Sequence, residues 1–79
     1  MAKAQDLLNQ YYLEMRWRCL SLAADLDRIQ RGTEGSTVVH SDPRLKKLRD
    51  AMSVAADPGK QNRAEQVQMI FSDMTPPPK

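Results

Sequence analysis

Residues 3–31 of this 79-residue chain read KAQDLLNQYYLEMRWRCLSLAADLDRIQR, a stretch without glycine or proline. Leu, Ala, Gln, Arg, Met and Glu make up much of it, and all six have high intrinsic helix propensity. Gly32 follows directly, at the position where helices commonly end. Arg28 and Arg31 would complement the helix dipole in the last turn. The stretch therefore predicts one uninterrupted helix over about residues 3–31.

One side of this helix carries an apolar seam. Its positions recur with alternating spacings of 4 and 3, the pattern of heptad a and d positions. The seam consists of Leu8, Tyr12, Met15, Cys19, Leu22, Leu26 and Ile29. A seam of this kind predicts packing against a neighbouring helix.

A second apolar set lies on the other side of the same helix, rotated from the seam by about 160° at about 100° per residue. It consists of Leu13, Trp17, Leu20 and Ala24, and we call it the Trp17 stripe. A helix that is apolar on two sides is usually sandwiched between neighbours. The stripe therefore indicates a second contact surface.

Two shorter helices are predicted downstream. Asp42-Pro43 combines an N-cap residue with proline at the first helical position, and Asp57-Pro58-Gly59 ends the helix, which places it over residues 43–56. Asn62 is a second N-cap candidate, with Glu65 as its capping-box partner, for a third helix over about residues 63–73.

The segments between and after these helices predict less regular structure. Residues 32–41 contain two glycines and several β-branched residues, and we expect a mobile loop there. Residues 75–79 contain three prolines and predict a disordered or polyproline-like tail.

Together these elements predict an all-α fold in a single helical domain over residues 1–74. Laid end to end, the two short helices nearly match the first in length. The economical three-helix arrangement is an antiparallel helical hairpin in which they return along the seam and leave the Trp17 stripe uncovered. In the alternative, they splay apart and cover both sides of the first helix, which gives a compact monomer with Trp17 in its core.

The composition argues against several classes of function. Cys19 and His40 are the only cysteine and histidine, so neither an intrachain disulfide nor a zinc site is plausible. The carboxylates are scattered and the glycines match no phosphate-binding loop, so we expect no catalytic residues, no cofactor and no enzymatic activity. The first residues contain no apolar segment, so we expect no signal peptide, and no apolar run is long enough to span a membrane. A cytoplasmic protein with no membrane contact is expected.

Two functional hypotheses remain. The first is a non-enzymatic protein–protein interaction module, such as a small helical adaptor, a co-chaperone or an assembly subunit. Contiguous exposed apolar patches usually mark interaction sites. Its interaction face is Leu13, Trp17, Leu20 and Ala24, and its partner is a second copy in a homodimer or another helical protein.

The second hypothesis is a small nucleic-acid-binding regulator that uses the second and third helices as a helix-turn-helix. Its polyanion contacts would be a basic run on the second helix, formed by Arg44, Lys46, Lys47 and Arg49. The net charge of +2 is weak for this class, and the third helix adds a single cation, Arg63. The prolines of the tail could also bind an aromatic-lined groove, although a helix stop is the simpler interpretation.

Overall fold

A computed structural model describes residues 2–72, and within them it contains four α-helices and no β-strand. The helices are α1 (Ala4–Arg31), α2 (Gly35–Ser41), α3 (Pro43–Ala56) and α4 (Arg63–Phe71). The predicted all-α class is confirmed, with four helices rather than three. The tail predicted to be disordered, residues 75–79, lies outside the described residues.

The first helix follows the sequence prediction closely. α1 has 28 residues, with Asp6 in its first turn and Arg28 and Arg31 in its last. These charges oppose the partial charges of the two helix ends and stabilise them. The helix ends at Gly32, whose backbone N–H donates to the carbonyl oxygen of Ile29 at 3.1 Å.

The predicted mobile loop over residues 32–41 is wrong for most of its length, because Gly35–Ser41 forms α2. The Ser41 hydroxyl donates to the carbonyl oxygen of Thr37 at 2.6 Å, which adds a local bond at the end of the helix. β-branched residues lower helix propensity by only about 0.7 kcal/mol or less each. That deficit is too small to prevent a helix of two turns when the preceding turn fixes the direction of the chain.

The turn into α2 explains the glycine at position 35. Glu34 adopts the left-handed conformation, with φ of 60°, and the Gly35 N–H donates to the carbonyl oxygen of Gly32 at 2.9 Å. Gly35 is buried, and a Cβ at this position would overlap the backbone carbonyls of Ile29 and Gln30. Glycine is therefore required for a close backbone approach rather than for a flexible loop.

The chain divides into two compact units, Met1–Ser36 and Thr37–Lys79. In the first unit, α1 has no buried residue. In the second, α3 packs against α4, and the buried apolar side chains are Leu45 and Ala51 of α3, 7% and 6% exposed. The half-buried apolar side chains of these two helices are Leu48, Met52, Val54, Val67 and Ile70.

The predicted hairpin needs correction: α3 and α4, which were expected to lie end to end in one returning arm, instead pack against each other as two arms of a hairpin. The short connection through residues 57–62 explains the pairing, because closing a short loop costs less entropy than closing a long one. The Gly59 N–H donates to Asp57 Oδ1 at 2.9 Å, and Arg63 Nη2 donates to the Asp57 carbonyl oxygen at 2.7 Å. These bonds hold the turn between the two arms.

Asn62 occupies the predicted N-cap position of α4, but its side chain makes no capping hydrogen bond. Its backbone is left-handed, with φ of 54°. Its carbonyl oxygen accepts the first helical bond, from the Gln66 N–H at 3.1 Å. The predicted capping box is therefore absent, because the left-handed backbone departs from the extended conformation that a capping side chain needs.

Candidate functional site

The Trp17 stripe is an exposed apolar surface on one side of α1. Leu13 is 67% exposed, Trp17 65% and Leu20 50%, and Ala24 is half-buried. The helix brings all four predicted residues together, because spacings of 4 and 3 keep side chains on one face. Within its own unit, the stripe is therefore uncovered.

A shallow depression of about 360 Å³ lies beside the Trp17 ring. Its lining residues all belong to α1: Trp17, Leu20, Ser21, Ala24, Asp25 and Arg28. The small side chains of Ser21 and Ala24 leave the hollow, and an Arg28 Nη1–Asp25 Oδ1 ion pair of 2.8 Å forms part of its lining. A depression with apolar, small and charged lining residues of this kind can accept a single side chain from another helix.

The seam on the opposite side of α1 is also exposed, which the sequence did not predict. Its exposed large side chains, between 40% and 55% accessible, are Leu8, Tyr12, Met15 and Ile29. Leu22 and Leu26 are half-buried. The heptad spacing indicates an apolar surface at these positions, but the predicted hairpin covers that surface with helices of the same chain. α1 thus presents two apolar sides within its own unit.

The basic run lies on α3, where its cations point in different directions. Lys46 Nζ contacts Asp50 Oδ2 at 3.0 Å, and Arg49 Nη1 donates to the Val39 carbonyl oxygen at 3.0 Å. Residues 42–50 contain four cations and two carboxylates, a net charge of +2. Part of the positive charge is therefore used inside the second unit.

Arg44 is the cation with the strongest local partner. Its guanidinium Nη2 contacts Asp42 Oδ2 at 2.9 Å, and its backbone N–H donates to Asp42 Oδ1 at 2.8 Å. The side-chain bond from Arg44, together with the backbone bond, lowers the pKa of Asp42 to about 2, and the same carboxylate raises the pKa of Arg44. Arg44 is committed to the start of α3, although it also lines a depression of about 350 Å³ with Lys47, Leu48 and Phe71.

The described residues offer little for catalysis or metal binding. Between residues 2 and 72, no three His, Cys, Asp or Glu side chains are placed to hold a metal ion. Cys19 is an exposed free thiol, and His40 lies in the last turn of α2. In this same part of the chain, none of the helices has both the length and the apolar character that a membrane crossing requires.

Comparison of the chain with protein-family models, curated proteins and solved structures gives no match. Among the side chains that the fold exposes, the most distinctive are the apolar residues of α1.

Proposed function

We propose that this chain is a non-enzymatic protein–protein interaction module whose binding surface is the Trp17 stripe on α1. Such a module would act as a small helical adaptor, co-chaperone or assembly subunit, and we place it in the cytoplasm, where its lone thiol would stay reduced. The observation that carries the proposal is the exposure of Leu13, Trp17 and Leu20 as neighbours on one helix face. Apolar patches of this kind usually mark interaction sites.

The energy available from this surface is sufficient for binding. Covering Leu13, Trp17 and Leu20 would remove very roughly 300 Å² of apolar surface from water, or about 7 kcal/mol at about 25 cal/mol per Å². The loss of translational and rotational freedom offsets much of this gain. The stripe alone therefore supports a moderate affinity rather than a very tight complex.

The shape of the surface favours an α-helical partner. The stripe runs along the axis of α1 with heptad-like spacing, and the depression beside Trp17 accepts one side chain. The partner is a helix of another protein, and an amphipathic helix with apolar residues at every third or fourth position matches the stripe.

Trp17→Glu tests this proposal, with Gln5→Glu as its control. Both substitutions place a carboxylate on an exposed position of α1, but Gln5 belongs to neither the Trp17 stripe nor the seam. We expect the wild-type protein and Gln5→Glu to co-purify with the same partner from the native host, and Trp17→Glu to lose it. All three should have the same circular dichroism spectrum. Equal partner recovery with Trp17→Glu, or unfolding of that variant, would overturn the proposal.

The alternative is nucleic-acid binding through α3 and α4. Arg44 and Lys47 stand beside the exposed ring of Phe71, and cations next to an aromatic ring are typical of single-strand binding surfaces. Fluorescence anisotropy with labelled DNA and RNA at two salt concentrations separates this function from the first. Steeply salt-dependent binding that is lost on replacing Lys46, Lys47 and Arg49 would favour it, and absence of binding at low salt would eliminate it.

A further inference from the structure

We infer that α1 pairs with α1 of a second copy of this chain through the seam, in an antiparallel arrangement. This goes beyond the proposed function, which uses the opposite side of the helix. The starting observation is a 28-residue helix whose unit buries none of its residues, although one side repeats apolar residues for three heptads. A long amphipathic helix obtains most of its stability from packing along such a side.

Layer sizes favour antiparallel over parallel pairing. A parallel pair in register would place Tyr12 on Tyr12 and Cys19 on Cys19, which gives one crowded layer and one with a void. An antiparallel pair avoids both of these layers. In one such register Tyr12 faces Ile29 of the second copy, Met15 faces Leu26, and Cys19 faces Leu22. The layers then differ less in volume than those of the parallel pair, which favours close packing.

Charges beside the seam select this antiparallel register. It places Arg18 of each copy against Asp25 of the other, so that two opposite-charge contacts form across the interface. Both side chains are more than 60% exposed, and each has an ion-pair partner on its own helix: Arg18 Nη2 lies 2.5 Å from Glu14, and Asp25 lies 2.8 Å from Arg28. The cross-helix contacts would join these pairs into networks.

The competing arrangements lack this match. Sliding the antiparallel pair by one heptad places Arg16 against Arg16 and Arg18 against Arg18 at the two-fold axis, where like charges repel. In a parallel pair, Arg18 faces Ala23 and Asp25 faces Gln30, so that no charge finds an opposite partner. Because complementary charges set orientation and register in helix pairs, the matched antiparallel register is the one that the sequence and exposure support.

The contact is large enough for a specific but reversible dimer. The matched register overlaps residues 10–31 of both copies, a length of about 33 Å at about 1.5 Å per residue. A strip of that length, about 12 Å wide on each helix, amounts to roughly 800 Å² over the two copies, in the range of weak and transient interfaces. We therefore expect a dimer that dissociates on dilution.

Sedimentation velocity of the full chain over a wide concentration range tests the interface. The wild type should show a monomer–dimer equilibrium. Leu22→Glu, in the central layers, should weaken dimerisation by about tenfold or more, whereas Trp17→Glu on the opposite side should leave it unchanged. A chain that stays monomeric at every concentration would overturn the inference, because the seam would then be covered within the chain or by another protein. Dimerisation lost only with Trp17→Glu would also overturn it.

Charge reversal at Arg18 and Asp25 tests the register, because both side chains are exposed and their substitution should not unfold the helix. Arg18→Glu and Asp25→Arg each place like charges across the antiparallel interface, so each variant alone should dimerise several-fold more weakly than wild type. An equimolar mixture should recover the wild-type association, because a heterodimer of the two pairs Glu with Arg and Asp with Arg. Failure of the mixture to recover would overturn the antiparallel register. Loss of partner capture by Trp17→Glu is a separate readout, so the two proposals fail separately.

Discussion

Arg44 binds the carboxylate of Asp42 through two guanidinium nitrogens, with Nε 3.1 Å from Oδ1 and Nη2 2.9 Å from Oδ2. Oδ1 also accepts the backbone N–H of Arg44 at 2.8 Å, which makes Asp42 the N-cap of α3. One carboxylate thus caps the helix and neutralises a cation of the basic run. All of these bonds are stronger with the ionised form of Asp42, which is why its pKa falls to about 2.

This relationship predicts an acid dependence of stability. The pKa of Asp42 is lowered from 3.8 to about 2 in the folded protein. A group with a lowered folded pKa stabilises the fold above its unfolded pKa and loses that contribution as the pH falls through the folded value. We expect the Tm of the wild type to fall between about pH 4 and pH 2 more steeply than that of Asp42→Asn, which keeps a capping oxygen but does not titrate. Circular dichroism melts across this range measure it, and parallel slopes would contradict it.

The close approach at Gly35 predicts that this glycine cannot be replaced. Gly35→Ala places a Cβ against the carbonyl oxygens of Ile29 and Gln30, so the backbone of the turn has to shift. We expect a loss of about 1–3 kcal/mol in the stability of the turn, in the range for overpacked sites. Gly59→Ala is the control, because its Cβ would meet only Asp57 Oδ1 at 3.4 Å. Amide hydrogen exchange in residues 35–41 should increase for the first variant alone, and equal exchange in both would show that the turn adapts.

The small core of the second unit predicts a strong effect of truncating Leu45. This side chain is 7% exposed, whereas Leu13 on α1 is 67% exposed. Leu45→Ala should cost about 2–3 kcal/mol, since it removes buried methyl groups and leaves a cavity. Leu13→Ala should change stability by less than about 0.5 kcal/mol in the dilute protein. Urea unfolding followed by circular dichroism measures both, and comparable losses would mean that Leu13 is buried.

The exposure of Trp17 predicts its fluorescence, which is easy to read because it is the only tryptophan in the chain. A side chain that is 65% exposed should emit like tryptophan in water, respond fully to a soluble quencher and shift little when the protein unfolds. Binding of a helical partner to the Trp17 stripe should move the emission to shorter wavelength. Dimerisation through the seam should leave it unchanged. Blue-shifted emission in dilute protein would contradict the exposure on which the proposed function depends.

The candidate site was predictable in its membership but not in its surroundings. The heptad spacing placed Leu13, Trp17, Leu20 and Ala24 on one face of a helix, and the helix is present. The spacing of the basic run likewise placed four cations on α3. Two features depend on which groups are neighbours in space, and one-dimensional spacing does not contain that information: the bonds between Asp42 and Arg44, and the exposure of seam residues within the first unit.

By itself, the sequence determined the three longer helices, because their formation and ends depend on interactions within a few residues. The absence of glycine and proline before Gly32 defines α1, the Asp42-Pro43 pair begins α3, and Pro58 follows its end. Only the tertiary structure decided that residues 35–41 are helical, since this depends on the tight turn in which Gly35 meets the end of α1. It also decided that α3 pairs with α4. One apolar helix face can pack against many others, so the residues of a single helix do not determine its partner. The length of the connection and the shapes of the two faces determine which helices pair.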